Sequence, residues 1–230
     1  MGTRLRLTLI LAGALLVVMT WAYPTWRPEP RLAVRDEGFP GLAAELQDRF
    51  VELPPEIQRT YLRMYNQNSM RATAMLTAHL TPPGPLPADQ AAPPNLSSAI
   101  LEASGQFGPL TLPDTDERDE PPFNNLYAEA SGQAAVYQFP DGRRVLRLED
   151  LEIINGPDLW IALSPEPLPL DGTIAELGNT YIPIAALQTN QGGQTYQSVP
   201  DVTNVNLNNY ASVVIYDRTY QVIFAIAPLQ

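Results

Sequence analysis

From about residue 100 onward the chain alternates apolar and polar residues, and this change to a period of two constrains the fold more than any other feature. Seven stretches have strand character: 127–139, 144–153, 159–164, 181–185, 194–199, 210–216 and 220–227. Turn chemistry separates them at Pro140-Asp141-Gly142, Asn155-Gly156-Pro157-Asp158, Asp171-Gly172 and Gly192-Gly193. Short strands at this spacing imply a mainly β chain built as a compact antiparallel β-sandwich or barrel. In the second stretch Leu146 and Leu148 share one face, whereas Leu151 and Ile153 fall on the other parity. That switch predicts a bulge near Glu149 and Asp150. The string EASGQ occurs at 102–106 and again at 129–133, an echo too short to signal a repeat architecture.

Ahead of residue 100 the pattern is helical. Leu42, Leu46, Phe50 and Leu53 recur at helical spacing. Pro54 and Pro55 restart the chain as first-turn residues, and Ile57, Tyr61, Met64 and Tyr65 make a second face. Asn66, Asn68 and Ser69 supply a break and an N-cap before a third face of Ala72, Leu76 and Leu80. These few short helices are too small to form a domain alone. Residues 81–98 are a Pro/Ala-rich linker, extended rather than folded.

The N-terminus carries Arg4 and Arg6 before an apolar run over 7–23, with Trp21, Tyr23 and Trp26 at its far end. A run of about 20 residues suffices to cross a hydrocarbon core as a helix, and aromatic rings favour the interface. The expected organisation is a signal-anchor transmembrane helix at 1–26, a tether with short helices at 27–80, the linker at 81–98 and a β domain at 99–230. The N-terminus would be cytoplasmic and the β domain extracytoplasmic. The alternative is secretion after cleavage of a signal peptide after Ala22, with Thr20 and Ala22 as the small residues of the site.

Charge narrows the partners. The net charge of −11 argues against nucleic acid, which requires clustered Lys and Arg, and against adhesion of the globular part to anionic lipid. The chain has no cysteine, which removes disulfides, thiol catalysis, Cys-ligated zinc, iron–sulfur clusters and covalent haem. His79 is the only histidine, so there is no His-based triad or multi-histidine metal site. Its pairing with Met64, Met70 or Met75 on haem is outweighed by ordinary packing of methionines. The run Asp114, Asp116, Glu117, Asp119 and Glu120 lacks the glycine and distal glutamate of a calcium loop and reads as a solvated segment. Glu149, Asp150, Glu152 and Asp158 gather around one turn, with nothing to set the spacing that acid–base catalysis needs.

Several of these stretches together resemble the DM-13 domain family, often labelled an electron-transfer domain. Ala130-Ser131-Gly132-Gln133-Ala134 with Val136-Tyr137 is similar to its opening strand. Residues 144–151 and Asn155-Gly156-Pro157-Asp158-Leu159 resemble its central strand, turn and next strand. Asn190-Gln191-Gly192 with Tyr196, then residues 210–216 and Val222-Ile223-Phe224, resemble its closing hairpin. The resemblance runs over roughly 100–230 and implies a compact β domain. It also implies a redox role resting on a cysteine in the closing hairpin, where this chain carries Asp217. A carboxylate cannot cycle between thiol and disulfide and is a poor soft ligand for haem iron.

The expected function is therefore a non-catalytic binding or structural module at the cell envelope, with a cell-surface electron-transfer accessory as the alternative. No catalytic residue, no metal site and no cofactor is expected, haem and other redox groups included. The binding candidates are Asp217, Arg218, Asn155, Asp158 and Asn190, with Arg143, Arg144 or Arg147 as counter-ions to Asp217. The partner is a cell-envelope protein or a small ligand, besides the membrane itself. Asp217 and Arg218 also read simply as a polar hairpin turn.

Overall fold

The computed structural model describes residues 38–84, 86, 94–108, 130–167, 180–197 and 206–230. The expected anchor and most of the tether, the acidic run at 114–120 and the Asp171-Gly172 turn lie outside the described residues. Among the described residues no helix is long and apolar enough to cross a membrane.

Among the described residues three helices come first: α1 (Ala44–Glu52), α2 (Pro55–Gln67) and α3 (Ser69–Leu80). Each begins where local chemistry permits it. The Gln47 amide accepts from Phe39 N (2.7 Å) and donates to Phe39 O (2.8 Å) and Leu42 O (3.1 Å), clamping the turn that feeds α1. Pro55 opens α2, where a missing N–H costs nothing. Asn68 caps α3 by accepting from Arg71 N at 3.0 Å. Phe50, Tyr61, Met64, Ala72, Met75, Leu76 and Leu80 are buried, so the three apolar faces pack as their spacing indicates. Gly38–Gln230 forms one compact unit, in which these side chains join the same core as the strands.

Eight strands follow among the described residues: β1 (Ile100–Gln106), β2 (Ser131–Gln138), β3 (Arg144–Glu152), β4 (Leu159–Ser164), β5 (Ile182–Ala186), β6 (Gln191–Gln197), β7 (Ser212–Asp217) and β8 (Val222–Pro228). They form two four-stranded antiparallel sheets, β1-β2-β3-β6 and β5-β4-β7-β8. The sheets are sewn along one side, where Ser104 and Gln230 exchange backbone bonds of 3.2 and 2.9 Å and Gly108 bridges to Ile226. On the other side β5 passes to β6 through residues 187–190, with Leu187 N bonded to Leu159 O at 2.8 Å. The result is an open sandwich. All of β7 and residues 222–227 of β8 are buried, so both parities are covered, as their unbroken apolar run indicates.

The bulge falls where the parity switch places it. The β3–β6 register shifts between Leu148 and Leu151, and Asp150 adopts a φ of 48°. Leu146, Leu148, Leu151 and Ile153 are thereby all buried.

Two sequence expectations need correction. The strand β1 is an eighth strand that its residues do not announce, because Glu, Ala, Ser, Gly and Gln are weak strand formers. Pairing with β2 and the seam to β8 make it a strand. The EASGQ echo lies across this pairing, with Gln106 opposite Gln133. Gly192-Gly193 is also not a turn but the start of β6, pairing Gly192 with Leu151. Gly193 is small for a different reason: any Cβ there would overlap the Arg147 guanidinium.

Candidate functional site

Four segments meet at one end of the sandwich: the β3–β4 turn (153–158), the β5–β6 loop (187–190), the β7–β8 turn (218–221) and the chain just after α3. Their meeting is organised from Asp217, the last residue of β7, which is fully buried. Its two oxygens accept from backbone N–H groups, Oδ2 from Asp158 N at 2.9 Å and Oδ1 from Tyr220 N at 2.7 Å. One carboxylate thus fastens the β7–β8 turn and the β3–β4 turn together. The carboxyl itself is buried, so its oxygens require such partners. Arg218 N adds a backbone bond to Asp158 O at 2.9 Å.

Asp158 forms the outer part of the same clasp. It accepts from Trp160 Nε1 (3.0 Å), Thr219 Oγ1 (3.0 Å) and Arg218 Nε (3.1 Å). Desolvation raises the Asp158 pKa, but the hydrogen bonds from Thr219, Trp160 and Arg218 outweigh it and hold the carboxyl below the usual range. The Arg218 guanidinium stacks on the Trp160 ring, 4.2 Å from its centroid. Asp217, Arg218 and Asp158, three of the residues singled out from the sequence, therefore form one assembly. The proposed counter-ions take other partners on the opposite sheet. Arg143 pairs with Asp141, Arg144 with Glu102, and Arg147 with Thr195 and Glu149.

Asn155 and Asn190 form a second pair beside this assembly. Asn190 exchanges bonds with Ile153, through its own Nδ2 (2.8 Å) and through Ile153 N to its carbonyl (3.0 Å). Asn155 Nδ2 reaches Ala78 O in α3 at 3.1 Å. Asn155, Asp158 and Asn190 line a cleft of 230 Å³, with Pro83 and Gly84 forming part of its wall. An open groove of 650 Å³ adjoins it, sharing Pro83, Gly84 and Thr189 and carrying the carboxylates of Asp150 and Glu152.

Sequence reasoning missed Gln194, which shapes the cleft from behind. It is fully buried; its Oε1 accepts from Tyr196 OH at 2.7 Å and from Gln188 N and Thr189 N at 3.3 Å. Its Nε2 donates to Thr189 O at 2.6 Å. A lone glutamine in a strand sends no signal of this, because the loop it satisfies is defined only in three dimensions. Gln194→Leu keeps the volume but strands several of these groups, so stability falls by about 2–4 kcal/mol. Amide exchange at 187–190 should rise more than in β7; equal protection in the variant would mean that the loop does not depend on Gln194.

Among the described residues no group of three or more His, Cys, Asp or Glu could hold a metal ion. Met64 and Met75 are in the core and Met70 is 79% exposed, while His79 hydrogen-bonds Tyr61. The arrangement presents turns, amides and carboxylates around a cleft, with a buried carboxylate as its fastening. Residues 122–229 match the family model of the Electron transfer DM13 domain. The match takes in β2 through β8, and so every element of the clasp and the cleft except the α3 end. β1 and the helices lie ahead of it. No curated protein and no solved structure matches the chain.

Proposed function

We propose that the protein is a membrane-tethered extracytoplasmic module whose DM13 region binds a cell-envelope protein or a small ligand through the loops around Asn155, Asp158 and Asn190, without catalysis. The observation that carries this reading is the state of Asp217. At the position the resemblance assigns to the family's cysteine, the side chain is a buried carboxylate with both oxygens held by backbone N–H groups. Such a group offers neither a thiol nor a soft lone pair; it holds two turns in place. The tether is supported by the apolar run at 7–23 behind Arg4 and Arg6.

The test uses the full chain purified in detergent from cells supplied with haem. A protein without visible absorption and without a reversible voltammetric wave is the expected result. A Soret band or a reversible wave sinks the binding-module reading. The tether is checked separately: the chain should stay with membranes through an alkaline wash.

The match to an electron-transfer family favours a second reading, an accessory of a redox system at the cell surface. Asp217→Cys tests it in the same chain. Cofactor uptake by the folded variant would show that the site still accommodates redox chemistry, and neither uptake nor a reactive thiol in the folded variant would mean that the cysteine position does not fall at Asp217.

A further inference from the structure

The chain's one histidine sits in a clasp between two helices, next to the cleft. His79 lies in the last turn of α3, its Nδ1 3.0 Å from the hydroxyl of Tyr61 on α2. Tyr61 is 1% exposed, so water cannot readily replace that contact. With the proton of the neutral ring on Nε2, Nδ1 accepts the Tyr61 hydroxyl hydrogen and satisfies that buried donor. Two further bonds hold the same turn of α3. Ala78 O accepts from Asn155 Nδ2 at 3.1 Å, and Leu80 O accepts from Arg49 Nη1 at 2.8 Å. The chain then runs through Thr81 and Pro82 to Pro83 and Gly84, which line both the cleft and the groove.

We propose that the Tyr61–His79 contact is an acid-sensitive latch, and that protonation of His79 frees the end of α3 together with the Pro83–Gly84 wall of the cleft. A protonated ring carries N–H on both nitrogens, so Nδ1 can no longer accept. The Tyr61 hydrogen must then turn away inside the core, leaving a buried donor unsatisfied. An adjacent carboxylate would offset this by pairing with the imidazolium. Among the described residues, the groups bonded to this turn are instead Tyr61 from α2, the cationic Arg49 from α1 and the neutral Asn155 from the β3–β4 turn. Within α3 the other charged residue is Arg71, two turns away.

Burial accordingly lowers the His79 pKa from its ordinary 6.5. The native value lies below the unfolded one. The stabilisation is therefore complete above pH 6.5 and is lost as pH falls from there through the lowered native value. The latch does not depend on what the cleft binds.

Hydrogen exchange on the full chain in detergent tests it, at pH 7.5 and at pH steps down to about 5, after correction for intrinsic rates. The opening of the peptide covering 78–84 should rise by up to about tenfold per pH unit below 6.5, the limit for one proton, while β7 stays protected. His79→Gln should remove the rise. Tyr61→Phe should already be loosened at pH 7.5 and change less with acid. Unchanged wild-type protection at 78–84 across this range overturns the proposal, and so does a wild-type-like rise in His79→Gln. Should His79→Gln fail to fold, Tyr61→Phe decides: wild-type protection at pH 7.5 in that variant also overturns it.

Discussion

Asp217→Ala should lower stability by about 2–4 kcal/mol, because two partly buried N–H groups lose their acceptor at once. For a unit of this size that corresponds to a fall of roughly 5–15 °C in the midpoint of thermal unfolding. The two donors are Asp158 N and Tyr220 N, so the loss is felt in both turns together. Asp217→Asn should keep one acceptor and set an NH₂ group against the other donor, and so fall between wild type and alanine. Asp217→Cys should unfold close to the alanine variant, since a thiol is a weak acceptor. Calorimetry on the three variants measures the order. An alanine variant within about 1 kcal/mol of wild type would show that water or a shifted turn satisfies both N–H groups.

Gly132→Ala should be comparably damaging for a different reason. Gly132 has a φ of 113°, a backbone conformation open to glycine almost alone. A Cβ there would also lie 2.7 Å from Leu151 Cα and 2.8 Å from the carbonyl oxygens of Glu149 and Asp150. Those atoms are backbone and cannot rotate aside. Strain contributes about 1–3 kcal/mol and the overlap a similar amount. The expected variant has an expanded bulge and a lowered unfolding midpoint, visible as lost amide protection in β3 around 149–152. A variant that unfolds like wild type would mean that the bulge accommodates the methyl by sliding the strand.

These two sites differ in how far local pattern reveals them. The bulge could be seen in the chain because Leu146, Leu148 and Leu151 of β3 are apolar, and the jump from Leu148 to Leu151 changes parity. The helical faces and the cap at Asn68 were equally visible, since each depends on neighbours within a turn. The family likeness was visible in the ordered series of strands and turns, and the match over 122–229 falls within its span.

The clasp was half visible. Asp217, Arg218 and Asp158 could be marked, yet nothing along the chain indicated that Asp217 takes its partners from backbone 59 residues away and 3 residues on. Beside the plain hairpin turn, the sequence offered an arginine counter-ion for Asp217, from Arg144 and Arg147 on β3 or Arg143 just ahead of it. Sheet order decides otherwise: β3 belongs to one sheet and β7 to the other, whereas the β3–β4 turn crosses to the end of β7.

What repeats at short range along the chain can be read without any tertiary contact. Period, turn residues, caps and the parity switch carry the mainly β class, the helices and the bulge, because each follows from local sterics and from which face is apolar. Strand β1, the start of β6 at Gly192-Gly193, the role of Gln194 and the cleft behind Asn155, Asp158 and Asn190 are settled by partners distant in sequence. A weak strand former becomes a strand when two neighbours offer it hydrogen bonds. A buried amide or carboxylate likewise takes its role from whichever unsatisfied backbone groups the fold brings to it.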